Sequence, residues 1–146
     1  MKSADQNRLF AKAFKLLSYR PRTIQEIKFR LKKISDDPEL IKKTLDKLVK
    51  ENLLNDQEFT SWWIDQRTRF KPKGNFALKS ELLQKGVSQD IISSNLLTPS
   101  QERILAKKVL TSKQALPKPK AIQRLKYRGF SSSVIFELID ELYQKE

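Results

Sequence analysis

No cysteine and no histidine occur among the 146 residues. The first absence excludes a disulfide framework and thiolate chemistry. The second removes the commonest general base and metal ligand, and with it the histidine of nucleophilic triads and zinc sites. Glycine is scarce at three residues, and proline contributes six. Strand-and-turn folds need more turn residues than that, whereas long stretches can stay helical. No apolar run approaches the roughly 20 residues that span a bilayer. Residues 1–14 mix charged and apolar side chains and carry no signal-peptide core. A cytoplasmic location with no membrane partner is the expectation. Acids are outnumbered as well, 17 Asp and Glu against 30 Lys and Arg, for a formal charge of +13. That excess says little about fold but points to polyanions or acidic protein surfaces as partners; the plainer alternative is a solvated basic surface.

What is present is regularly spaced Leu, Ile and Phe, in a 38% hydrophobic chain that reads as folded. Ser3 can cap a first helix with Phe10, Ala13, Phe14 and Leu17 on its inner face, ended by Pro21. Thr23 and Glu26 have capping-box spacing, and Ile27 and Leu31 follow. Pro38 suits a first helical position, ahead of Ile41, Leu45 and Leu48. Asn55 opens a fourth helix with Phe59, Trp63 and Phe70 on one face, Trp62 pointing toward the preceding helices. Leu78 and Leu82 mark a fifth helix, closed by Gly86. Ser88 caps a sixth with Ile91 and Ile92. Thr98-Pro99-Ser100-Gln101 opens a seventh with Ile104, Leu105 and Val109. Ile122 and Leu125 belong to an eighth, closed by Gly129; Ser131 or Ser132 caps a ninth with Ile135, Leu138, Ile139 and Leu142.

These nine helices fall into three rounds, 1–53, 54–97 and 98–146. Each has a Pro-and-basic turn (Arg20-Pro21-Arg22, Lys71-Pro72-Lys73, Lys118-Pro119-Lys120) before its second helix. The tight turns Lys85-Gly86-Val87-Ser88 and Arg128-Gly129-Phe130-Ser131 lie 43 residues apart, and round one has Lys33-Ile34-Ser35 there without the glycine. The fold expected is all-α, three tandem helix-turn-helix-like repeats stacked in an elongated, curved array. Residues 20–33, 67–85 and 118–128 each carry a net +5, whereas the third helices are neutral to acidic. The candidate binding residues are therefore Arg20, Arg22, Lys28, Arg30 and Lys32; Arg67, Arg69, Lys71, Lys73 and Lys79; and Lys118, Lys120, Arg124, Lys126 and Arg128. Recurrence at one place in each round fits an extended anionic partner. Helix-turn-helix DNA reading, the alternative, places the last helix of the unit in the major groove, where Asp140, Glu141 and Glu146 would repel phosphate.

No catalytic residue, metal-ligand set or cofactor motif emerges. Asp36-Asp37 and Asp140-Glu141 fit cap and surface roles better than a metal site, and Phe59, Trp62 and Trp63 fit a core better than a base-stacking platform. Leu54-Asn55-Asp56-Gln57-Glu58-Phe59, with Ile64 and Arg67, resembles the Leu-Asp-Asp-x-x-Phe signature of RecX proteins. Glu81-Leu82-x-x-Lys85-Gly86-Val87-Ser88 is similar to that family's next segment. Residues 16–23 with Glu26 and Leu31, and Ile122-Gln123-Arg124 with Tyr127-Arg128-Gly129-Phe130, resemble its first and third repeats. Departures are Asn55 for an acid, the arrangement Pro72-Lys73-Gly74, and the missing first-round glycine. The resemblance implies a cytoplasmic, monomeric, non-enzymatic regulator without cofactors. It implies that the chain lies in the groove of the RecA filament on single-stranded DNA and restrains RecA, with a part in recombination, DNA repair and the SOS response.

Overall fold

The structure, a computed structural model, describes residues 2–111 and 116–143. Among them are nine helices and no strand: α1 (Lys2–Tyr19), α2 (Ile24–Leu31), α3 (Pro38–Lys50), α4 (Asp56–Phe70), α5 (Asn75–Gln84), α6 (Gln89–Asn95), α7 (Pro99–Thr111), α8 (Lys118–Tyr127) and α9 (Ser132–Leu142). No helix among the described residues is long and apolar enough to cross a membrane.

Local chemistry sets most helix starts. The Thr23 hydroxyl accepts from the Glu26 N–H at 3.1 Å while the Glu26 carboxylate accepts from the Thr23 N–H at 3.0 Å, a complete capping box. Thr98 and Gln101 repeat it at 3.1 and 2.9 Å. Asp37 caps α3 ahead of Pro38, and the Asn55 amide oxygen caps α4 by accepting from the Glu58 N–H. Ser131 is the N-cap of α9 but makes no capping bond; its hydroxyl donates to Glu102 Oε1 at 2.9 Å. α1 begins at Lys2, so Ser3 lies inside the helix and is not its cap.

Packing is within rounds: α1, α2 and α3 meet one another, as do α4 with α6, α5 with α6, and α7, α8 and α9. Each round closes its own buried cluster. Leu9, Ala13, Leu16, Ile27, Leu31 and Leu48 centre the first, Phe59, Leu78, Leu82 and Ile92 the second, and Leu105, Leu125, Ile135 and Leu138 the third. Several stripes sit one helical position from where periodicity puts them. In α1 the inner face is Leu9, Ala13 and Leu16; Phe14 is 53% exposed and stacks on Phe10, which is half-buried like Leu17. In α7 Glu102, Leu105, Ala106 and Val109 face inward and Ile104 is 60% exposed. Phe70, in the last turn of α4, lies beyond the reach of so small a core and is 72% exposed; Leu142, at the end of α9, is also exposed. Trp62 does not turn toward the first round. It lies 5.8 Å from the Phe59 ring and joins the second cluster with Trp63.

The rounds are joined twice by the same device. The N-cap of a second helix bonds to the carbonyl that precedes the glycine of the next round's tight turn. Thr23 Oγ1 donates to Lys85 O at 2.7 Å, and Gly74 N–H donates to Arg128 O at 2.9 Å. The first N–H of that helix then finds an acid on the next round's first helix: Ile24 N–H to Asp56 Oδ1 at 2.9 Å, Asn75 N–H to Glu102 Oε2 at 3.0 Å. These are helix-terminal donors that would otherwise lack a partner. Gly86 and Gly129 follow α5 and α8 with φ of +86° and +82°. A Cβ on Gly86 would strike the Gln25 side chain, and one on Gly129 the Ala77 backbone. Gly74 meets the other side of the second joint, where a Cβ would stand 2.3 Å from Phe130 Cα. All three glycines of the chain are thus at joints. No residue of the turn at 33–35 has a positive φ. The first round's turn therefore does without glycine.

Candidate polyanion-binding surface

The capping box that starts α2 also aims Glu26 at the first joint. Its carboxylate binds Arg20 at 2.8 Å, from its own round, and Lys85 at 3.3 Å, from the next. Burial pushes this carboxyl up, but the hydrogen bonds from Arg20 and the Thr23 N–H, with the Arg20 and Lys85 charges, outweigh it and leave it below the ordinary value. Glu81, one face of α5, accepts from Trp63 Nε1 at 2.9 Å, Arg67 Nε at 3.1 Å and Lys73 Nζ at 3.0 Å. Burial again raises its carboxyl and the bonds from Lys73, Trp63 and Arg67 overcome that, so it too titrates low. Asp56 goes the other way: burial, opposed by the Ile24 N–H and aided by the Glu26 charge, raises it. Arg67 and Lys85 both sit over the Trp63 ring, 4.7 and 4.8 Å from its centroid. The first joint gathers four cations and the carboxylates of Glu26 and Glu81 around one indole.

Six of the fifteen candidate cations are therefore held by this scaffold or a local partner. Arg20 binds Glu26, and Arg67 and Lys73 bind Glu81. Arg22 Nε donates to Leu16 O at 3.1 Å, Arg69 pairs with Asp65 at 3.1 Å, and Arg128 reaches across the second joint to Pro72 O at 3.0 Å. The other nine are Lys28, Arg30, Lys32, Lys71, Lys79, Lys118, Lys120, Arg124 and Lys126. They are exposed, and no side chain among them makes an ion pair or hydrogen bond with another described residue. All but Lys71 lie on or cap a second helix: α2, α5 or α8.

The basic stretches abut at the joints, the first meeting the second where Arg20 and Lys85 share Glu26, the second meeting the third where Arg128 reaches Pro72. Lys28 and Lys32 line one cleft with Asp56 and Gly86, and Lys120, Arg124 and Arg128 line another with Pro72. Arg30, Lys71, Lys79, Lys118 and Lys126 line neither. The third helices do not add to this surface. On α9, Glu141 is engaged by Arg103 and Lys107 of α7, and Asp140 is exposed; Glu146 lies outside the described residues. No group of three or more Asp and Glu suited to a metal occurs among the described residues.

Sequence reasoning missed Asp56, Glu102 and Lys85 as joint residues. Glu102 could have been found, because it occupies a core position with Leu105, Ala106 and Val109 at helical spacing, and it is 2% exposed. Asp56 gives no such sign, since an acid in a first helical turn has sufficient reason to be there.

Two family models match, the second three-helix domain of RecX over residues 55–96 and the first over residues 10–48. A regulatory protein RecX of Prosthecochloris aestuarii is 36% identical, over 97% of this chain and 98% of its own length. One of Streptococcus gordonii is 34% identical over 80% of this chain, which spans about half (48%) of that longer relative. The crystal structure of RecX from Lactobacillus salivarius superposes with a TM-score of 0.81 at 25% identity, over 97% of this chain and 99% of that one. With three helical rounds in order, joined by the same clasp at both joints, and relatives matched from end to end, the chain belongs to the RecX family of regulatory proteins.

Proposed function

We propose that this protein regulates the RecA recombinase. It binds the RecA filament on single-stranded DNA and restrains, chiefly by inhibition, filament extension, ATP hydrolysis and recombinase activity, catalysing no reaction itself and needing no cofactor. It acts as a monomer in the cytoplasm, within recombination, DNA repair and the SOS response. The observation that carries this reading is the division of labour among the cations. Six hold the scaffold or a local partner, and nine stand free, eight of them on or capping the second helices.

The rounds 1–53, 54–97 and 98–146 form an elongated, curved array, and free cations repeated along it suit a filament groove, where acidic protein and DNA phosphate lie together. Acidic exposed residues on α9 disfavour insertion of that helix into a DNA groove.

The test is co-sedimentation. With preassembled RecA filaments on single-stranded DNA the protein is expected in the pellet at physiological salt, with much less carried down by the DNA alone. The variant Lys28→Gln, Lys32→Gln, Lys79→Gln should lose about tenfold or more in filament affinity, three surface charges being removed from a salt-dependent contact, with helicity unchanged. Equal affinity for naked DNA would instead favour a helix-turn-helix DNA-binding protein.

A further inference from the structure

The two joints open clefts of different electrical character, the first balanced and the second positive. The tight-turn glycines Gly86 and Gly129 set a 43-residue offset between rounds two and three. By it Glu81 corresponds to Arg124, Gln84 to Tyr127 and Lys85 to Arg128. All six line clefts: Glu81, Gln84 and Lys85 one of about 560 Å3 at the first joint, and Arg124, Tyr127 and Arg128 one of about 830 Å3 at the second. In the first cleft Glu26 and Glu81 offset the two lining cations, Lys85 and Arg67, with which they pair. In the second the acid has become Arg124, and the residue matching Glu26, third in its helix, is Ala77. Lys108, Lys120, Arg124 and Arg128 line that cleft, and among the described residues no carboxylate does. Among the described residues Arg128 alone of the four has a side-chain partner, the neutral carbonyl of Pro72. Beside them the Tyr127 ring is 89% exposed.

Four gathered cations repel one another, and the protein has placed no acid among them. The unmet partner is therefore an anion from outside. An exposed aromatic ring adds a face on which a base can stack, a contact an acidic peptide does not need. The volume lies within the roughly 300–1,000 Å3 of sites for compact ligands.

We infer that the second-joint cleft is a direct binding site for single-stranded nucleic acid, with Lys120 and Arg124 on phosphate and Tyr127 against a base. This rests on the regulatory reading for its setting, since a filament groove brings such a strand near, but it concerns binding by the protein alone.

The test is fluorescence anisotropy of a labelled oligothymidylate with the isolated protein across a salt series. Lys120→Gln with Arg124→Gln is expected to weaken binding about tenfold or more and to flatten the salt slope by about 1.4, as two lost phosphate contacts require. Tyr127→Ala should weaken it about fivefold or more with the slope unchanged, by loss of stacking. Arg124→Glu, which installs the acid of the first cleft, should act like the double variant. Lys43→Gln with Lys50→Gln removes the same charge from α3, outside the candidate surface, and should change binding less than about threefold.

The inference is overturned if that control loses as much as the cleft variant or if Tyr127→Ala binds normally. It is also overturned if polyglutamate competes as well as oligothymidylate, which would mark the cleft as a site for acidic protein. Failure of the wild-type protein to bind the oligonucleotide removes the cleft assignment but not the regulatory reading, which the filament pellet decides separately.

Discussion

Replacing Glu102 by alanine is expected to cost about 2–4 kcal/mol in urea unfolding, the largest loss from any single acid in this protein. The side chain is buried at the second joint and accepts three hydrogen bonds: from Asn75 N–H at 3.0 Å, Ser131 N–H at 3.0 Å and Ser131 Oγ at 2.9 Å. Two of the donors are backbone groups at the starts of α5 and α9, which have no partner within their helices. Removing the acceptor strands both, at about 1–3 kcal/mol for each group left unsatisfied, less whatever water recovers. Glu102→Gln keeps an amide oxygen for the two N–H groups and should lose only about 1 kcal/mol. A cost near zero for the alanine variant would mean that the joint is wet or loose.

Gly129→Ala comes next. The new methyl would meet Ala77 Cβ at 2.3 Å and Ala77 N at 2.6 Å, and an L-residue at φ +82° is strained in addition. The left-handed conformation costs about 1–2 kcal/mol, and a clash with backbone that cannot step aside adds about 1–3 kcal/mol. Gly86→Ala is the informative comparison. It has the same backbone strain, but two of the three nearest atoms, Gln25 Oε1 and Cδ, belong to the far end of a side chain that can swing aside, leaving Gln25 Cβ at 2.6 Å as the fixed obstacle. Chemical denaturation of both variants should rank Gly129→Ala the more damaging by about 1–2 kcal/mol. The reverse order would show that the second joint yields more easily than its close backbone contact allows.

Signals that act over a few residues were legible in the chain. The boxes at Thr23 and Thr98, the caps at Asp37 and Asn55, and the glycine stops after α5 and α8 each depend on neighbours three to five positions away. The inner face of α1 was less so. Phe10, Ala13, Phe14 and Leu17 satisfy helical periodicity as well as Leu9, Ala13 and Leu16 do, and only the packing of α2 and α3 against the helix chooses between them. Trp62 and Trp63 posed the same problem, resolved by Phe59 lying within reach of both. Fifteen cations looked alike in the sequence because what separates Lys73 from Lys71 is Glu81, eight residues further on across a turn. The glycines were read as helix stops, and they are. Their second role, as the floor on which the preceding round docks, requires contacts such as Thr23 to Lys85, 62 residues apart.

The most direct test of the account is a titration of RecA ATP hydrolysis on single-stranded DNA with the wild-type protein. The account predicts that hydrolysis falls as the protein is added, at concentrations where it sediments with the filament. Hydrolysis that stays constant while the filament is fully occupied would contradict it.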